Sequence, residues 1–132
     1  MPVENILVAD DNDQVRSFLA EYLRSLGHRV QTAANGEQAA ALIRADAEGF
    51  ALVISDLQMP RLDGLALLRE IRRRGYGQGV VIQTTLLDAS LEMVLRRAGA
   101  SGVLMKGGPF PELVRSVEEA YRTPSRPPVL RA

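Results

Sequence analysis

The chain has 132 residues, with sixteen basic and sixteen acidic side chains and a formal net charge of zero. That length allows one domain, and that balance disfavours a nucleic-acid or membrane-surface partner. With no cysteine and one histidine, His28, disulfides, cysteine nucleophiles, thiolate metal sites and a multi-histidine zinc centre are excluded. No apolar run reaches the roughly 18 residues of a membrane span, and no secretory leader is recognisable, so a cytoplasmic location is expected.

The first apolar run is Ile6-Leu7-Val8-Ala9. Val15, Phe18, Leu19, Tyr22, Leu23 and Leu26 then follow helical spacing, and Gly27 stands where a left-handed C-terminal cap belongs. His28 to Ala33 is a weaker strand candidate. Ala39, Leu42, Ile43 and Ala47 predict a second helix, with Asn35 as N-cap and Gln38 three residues on. Ala51-Leu52-Val53-Ile54 is a third strand. Leu65, Leu68 and Ile71 predict a third helix that ends at Arg72-Arg73-Arg74 and Gly75. Val80-Val81-Ile82 is a fourth strand. Leu91, Val94, Leu95 and Ala98 predict a fourth helix, opened by Asp88 and closed by Gly99. Val103-Leu104-Met105 is a fifth strand, and Leu113, Val117, Ala120 and Tyr121 predict a fifth helix. The Pro-rich segment 123–132 has no periodicity and reads as a tail or linker stub.

Strand and helix thus alternate five times. Short Val- and Ile-rich runs without polar alternation are strands buried on both faces. The expected fold is a single-domain α/β, (βα)5 doubly wound parallel sheet of five strands.

Ligands of such sheets bind beyond the C-terminal strand ends. Asp10, Asp11, Asn12 and Asp13 follow the first run, Ser55 and Asp56 the third, Gln83, Thr84 and Thr85 the fourth, and Lys106 the fifth. Lys106 is the only lysine beside fifteen arginines. Carboxylates gathered at one rim repel unless a cation sits among them. Oxygen ligands without His or Cys select a hard ion such as Mg²⁺, which takes phosphate oxygens as further ligands. A lysine ammonium and a threonine hydroxyl suit the same phosphoryl group. One carboxylate would be its acceptor or nucleophile. Asp13 reads as a helix-terminal acid and Asp63-Gly64 as a turn and cap.

Val8-Ala9-Asp10-Asp11-Asn12 and Asp56-Leu57-Gln58-Met59-Pro60-Arg61-Leu62-Asp63-Gly64 resemble the acidic pair and the phosphorylation stretch of the response-regulator receiver domain. Thr84 and Lys106 are similar in order and separation to that family's switch hydroxyl and lysine. The resemblance spans about residues 3–122 and implies a receiver domain over 1–122, with strand order 2-1-3-4-5. It implies Asp56 as phosphoacceptor. It also implies Mg²⁺ held directly by Asp11 and Asp56, mainly through water by Asp10, and by the backbone carbonyl of Gln58. Lys106 would pair with a phosphoryl oxygen and Thr84 would swing in to it. A sensor histidine kinase or histidine phosphotransfer protein would be the donor. An unidentified output protein or domain would read the surface of residues 86–122, and phosphorylation could drive homodimerisation.

Two positions depart from the family's habit. Val103 stands three before the lysine, where an aromatic is common, and Lys106 is followed by Gly107-Gly108-Pro109 rather than directly by Pro. With Arg96-Arg97-Ala98-Gly99-Ala100-Ser101-Gly102, the latter is similar to the NarL-type subfamily. Leu86, two beyond Thr84, and Gln58, two beyond Asp56, stand where the family tunes hydrolysis. Two other readings use the same residues. A haloacid-dehalogenase-like phosphohydrolase would use Asp11 and Asp13 as a D-x-D pair, although no Gly-Thr follows. A pseudo-receiver would only bind partners.

Overall fold

The computed structural model describes residues 4–46 and 49–107, together with residues 112, 115, 116 and 119. Strands β1 (Asn5–Ala9), β2 (Arg29–Ala33), β3 (Leu52–Asp56), β4 (Gly79–Thr84) and β5 (Gly102–Met105) alternate with helices α1 (Asp13–Ser25), α2 (Gly36–Ala45), α3 (Gly64–Arg73) and α4 (Ala89–Arg97). The strands form one all-parallel sheet in the order β2-β1-β3-β4-β5. The expected architecture is therefore present through β5. The helix expected over Leu113–Tyr121, the second helix's Ala47 and the 123–132 tail lie outside the described residues.

The missing polar alternation in the strands has a direct cause, because both sheet faces are covered. Leu7, Ala9, Val53, Val80 and Ile82 pack with Ala39, Ile43, Leu67, Leu68, Ile71 and Leu95 of α2, α3 and α4. Ile6, Val8, Leu52, Ile54 and Val81 pack on the opposite face with Leu19, Ala20 and Leu23 of α1. Each strand contributes to both cores by the ordinary two-residue pleat.

Helix starts follow side-chain chemistry. Asn12, Asn35, Asp63 and Asp88 each accept a hydrogen bond from the backbone N–H three residues on, at 2.8–3.0 Å. Gln38 returns a bond to the Ala34 N–H at 2.8 Å. Gly27, at φ +97°, follows the C-cap of α1 as expected.

Three expectations change. On α1 the buried stripe is Leu19, Ala20 and Leu23, whereas Val15, Phe18 and Leu26 are exposed. The apolar spacing of that helix is wider than the face the sheet can cover. Strand β3 extends through Ser55 and Asp56 and β4 through Gln83 and Thr84, since Asp56 pairs with Gln83. Main-chain ladders are indifferent to side-chain polarity. The three arginines stand at a helix end, where cations suit the dipole, but whereas Arg73 and Arg74 are exposed, Arg72 is only 5% exposed.

Its guanidinium donates to Gly99 O through Nε (3.1 Å) and Nη2 (2.8 Å) and to Tyr76 O through Nη1 (2.8 Å). Arg72 thereby ties the α3–β4 connection to the α4–β5 turn. Burial lowers its pKa to about 10, so it stays charged at neutral pH. Gly99 has to lack a side chain, because a Cβ there would lie 2.8 Å from Arg72. Arg72→Met should destabilise the fold by about 2–4 kcal/mol, since it strands two carbonyl acceptors. Urea unfolding measures this, and an unchanged midpoint would show that the two turns hold without the tie.

Candidate functional site

Because all five strands are parallel, their C-terminal ends share one edge. Asp10 follows β1, Asp56 ends β3, Thr84 ends β4 and Lys106 follows β5. These four positions lie far apart in sequence and meet at that edge. Lys106 Nζ donates to Asp56 Oδ2 at 2.6 Å and to Asp10 Oδ1 at 3.1 Å. Its backbone N–H donates to Thr84 O at 2.7 Å, which anchors the lysine to the end of β4. Asp10 Oδ1 also accepts the Asn12 N–H at 2.9 Å.

Asp10 and Asp56 are buried, whereas Asp11 is exposed. One carboxylate oxygen from each of the three lies within 4.8 Å of the others. Against three carboxylates stands one ammonium. Asp10 Oδ2 is buried and has no hydrogen-bond partner among the described residues. A buried carboxylate oxygen without a donor is costly unless a cation completes it. The donor set is all oxygen, and the residues therefore fit a hard divalent ion such as Mg²⁺.

The electrostatics agree. Burial pushes the Asp56 carboxyl above the usual carboxylate range, the hydrogen bond from Lys106 opposes this, and the charges of Asp10 and Asp11 raise it further. Burial by itself would lower the Lys106 ammonium, but its hydrogen bonds to Asp56 and Asp10 and their charges outweigh burial and raise it.

Gln58 sits at the lip of an open cleft of about 430 Å³, lined by Asp11, Gln58, Met59, Pro60 and Asp63. Its loop is held at several points. Gly64 N–H donates to Leu57 O at 2.8 Å, and Leu57 N–H donates to Gln83 O at 2.7 Å. Leu62 N–H donates to Pro60 O at 2.8 Å across Arg61, which takes the left-handed φ of +73°. Gly64 packs so closely that a Cβ would stand 2.4 Å from Asp56 O, so no other residue fits there.

Thr84 is buried, and its hydroxyl donates to Leu86 O and accepts the Leu86 N–H, both at 3.3 Å. Thr85 and Leu86 are exposed. Asp13 is not part of the acidic cluster. It sits in the first turn of α1 and pairs with Arg16, so the D-x-D pairing with Asp11 is not assembled. Val103 is 6% exposed and packs in the core.

The sequence reading missed the part of Ser55 and Gly64 in holding the Asp56 peptide. Ser55 carried a signal, as a hydroxyl beside the aspartate in an otherwise apolar strand, but its contact is made with the backbone.

Comparisons agree with this geometry. The family model described as response regulator receiver domain matches residues 6–118. Response regulator MprA of Mycolicibacterium vanbaalenii is 34% identical over 122 residues, covering 92% of this chain and 52% of the relative. Transcriptional regulatory protein ZraR of Salmonella typhimurium is 32% identical, covering 88% and 26%. The receiver domain of Francisella response regulator 1452 superposes with a TM-score of 0.83 at 26% identity, covering 91% of this chain and 98% of that one. The chain spans about half the length of MprA and a quarter of ZraR. It belongs to the response regulator receiver family, the receivers of two-component signalling, and its acidic pocket fits the phosphorylation site of that family.

A pH dependence follows from Asp56. Its folded pKa lies above the unfolded value, so the folded state disfavours the ionised form. Stability is fully present below the unfolded pKa and declines as pH rises through the folded pKa. Without divalent ions, Asp56→Asn should therefore melt higher than the parent at pH 7, with the gap closing towards pH 4. Added Mg²⁺ should raise the parent's melting temperature and leave the variant's nearly unchanged. Thermal melts across pH, with and without Mg²⁺, check both signs.

Proposed function

We propose that Asp56 accepts a phosphoryl group from a phosphohistidine donor and that Asp10, Asp11 and the Gln58 backbone carbonyl join it in holding Mg²⁺. One Asp56 carboxylate oxygen attacks phosphorus, the P–N bond to the donor imidazole breaks, and that nitrogen keeps the electron pair. When bound, Mg²⁺ neutralises the charge that gathers on the phosphoryl oxygens. Lys106, released from part of its bond to Asp56, pairs with one phosphoryl oxygen. The phosphoryl adds nearly two negative charges at a buried edge. Thr84 turns its hydroxyl from the Leu86 backbone towards it, which shifts the population of the β4–α4 loop and the surface beyond it. The observation that carries this reading is Lys106 bridging Asp10 and Asp56 beside a carboxylate oxygen left without a donor.

The chain is then a signalling module that catalyses its own phosphotransfer and slow hydrolysis, not a turnover enzyme on outside substrates. Its donor is a histidine kinase or a histidine phosphotransfer protein, its receiver unit covers residues 1–122 and it works in the cytoplasm. A likeness to the NarL-type subfamily rests on Arg96–Gly102 and Lys106-Gly107 alone; the relatives named above carry other names, and no DNA-binding output is proposed.

Acetyl phosphate with Mg²⁺ should add one phosphoryl to the intact protein by mass spectrometry, and Asp56→Ala should abolish the gain. No gain with any donor would favour the pseudo-receiver reading.

Leu86 is 74% exposed at the mouth of the site. An apolar side chain there gives no hydrogen bond to an attacking water. Leu86→Glu should change the lifetime of the acyl phosphate by about threefold or more. Timed decay after removal of the donor measures it, and an unchanged lifetime would count against a role for this position.

A further inference from the structure

Two residues hold the phosphoacceptor's own peptide, and one of them is a side chain the proposed chemistry does not use. Ser55 is completely buried within β3, and its hydroxyl donates to Asp56 O at 2.9 Å. Gly64 approaches the same carbonyl so closely that a Cβ would lie 2.4 Å away. Asp56 is the last residue of its strand. The next peptide leaves the sheet for the cleft loop, with Leu57 N–H still donating to Gln83 O.

At this strand end a single ladder bond, Leu57 N–H to Gln83 O, still holds the Asp56–Leu57 peptide, and the Ser55 hydroxyl adds a second hold on its carbonyl. Here the Asp56 carboxylate meets Lys106 at 2.6 Å while one of its oxygens lies within 4.8 Å of oxygens of Asp10 and Asp11. The rotamers open to Asp56 depend on its own φ and ψ, so slack at the Asp56–Leu57 peptide would loosen the hold on the carboxylate. A hydroxyl in an apolar strand is costly unless bonded. Ser55 meets that need by bonding the carbonyl of the Asp56–Leu57 peptide.

We propose that Ser55 is a positioning residue for phosphoryl acceptance: its hydroxyl, with Gly64 packed close on the same carbonyl, fixes the main chain at Asp56 so that the carboxylate presents its oxygen in line to the donor. This rests on Asp56 as the phosphoacceptor and assigns a separate role behind it. Small misplacements of a reacting group are expensive in rate even when binding is intact.

The experiment compares the intact protein with Ser55→Ala and Ser55→Thr. Phosphorylation from acetyl phosphate is followed by mass spectrometry over a range of donor and Mg²⁺ concentrations, and amide hydrogen exchange is read at Leu57 and Gly64. Ser55→Ala should lower the maximal rate constant about tenfold, with half-saturating donor and Mg²⁺ concentrations within about twofold of the parent. Exchange at Leu57 and Gly64 should quicken while the amides of β1 and β4 keep their protection. Ser55→Thr, which keeps the hydroxyl, should restore the rate to within about threefold.

A Ser55→Ala protein that phosphorylates at the parent rate overturns the proposal. So does a loss of rate in both variants that tracks a loss of folding, which would assign Ser55 to packing alone. If the parent itself accepts no phosphoryl group, the reading of Asp56 falls instead, and the exchange data still report whether the Ser55 hydroxyl holds the peptide.

Discussion

Three carboxylates crowd one edge of a parallel sheet, and a single ammonium stands among them. Two of the three acids are buried, so water cannot screen their repulsion. Lys106 relieves the repulsion only in part, because it bonds one oxygen of Asp10 and one of Asp56 and leaves Asp10 Oδ2 without a donor. Burial first, and then the charges of Asp10 and Asp11, push the Asp56 carboxyl above its ordinary range. A site with excess negative charge and fixed oxygen ligands is poised for a divalent cation, and a cation is what lets a phosphoryl group approach an aspartate.

The fold exists to keep that edge rigid. Two apolar layers clamp the sheet, one under α1 and one under α2, α3 and α4. The strands end in register, and register sets the depth at which Asp56 and Lys106 meet. At the opposite pole, Arg72 ties two connections through backbone carbonyls, and Glu70 is held between Arg44 and Arg74. The Arg44 hydrogen bond keeps the Glu70 carboxyl below its ordinary range. The polar interactions at that pole restrain the chain, whereas those at the site pole are left incomplete. The difference separates a supporting end from a reacting one.

The exposed positions near the reacting end belong to the same division. Leu86 stands on the loop that Thr84's hydroxyl currently braces. Met93 and Val94 of α4 and Met105 of β5 are also exposed. A hydroxyl bonded at 3.3 Å to its own loop is held weakly enough to be drawn elsewhere by a stronger charge. On the proposed reading, the link between the chemistry and that surface runs through Thr84.

Much of this was legible in the residues alone. Short Val- and Ile-rich runs between helical spacings pointed to the parallel sheet, Asn35, Asp63 and Asp88 marked the starts of α2, α3 and α4 (the Asn12 cap of α1 was not read), and acids and the lone lysine at strand ends pointed to the candidate site. These are local patterns, and local patterns constrain local structure. The sequence could not say that Arg72 is buried while Arg73 and Arg74 are not, because all three lie within one helical turn and only packing against Gly99 distinguishes them. It could not place the exposed side of α1, since apolar spacing there exceeds what the sheet covers. Nor could it show the Ser55 hydroxyl on the Asp56 carbonyl or the orphan oxygen of Asp10. Side-chain chemistry and spacing determined which groups reach the sheet edge. The parallel register and the two packed layers decided which atoms touch there, because distances between groups 46 and 96 residues apart in the chain (Asp10 to Asp56, and Asp10 to Lys106) are set only when the whole sheet closes.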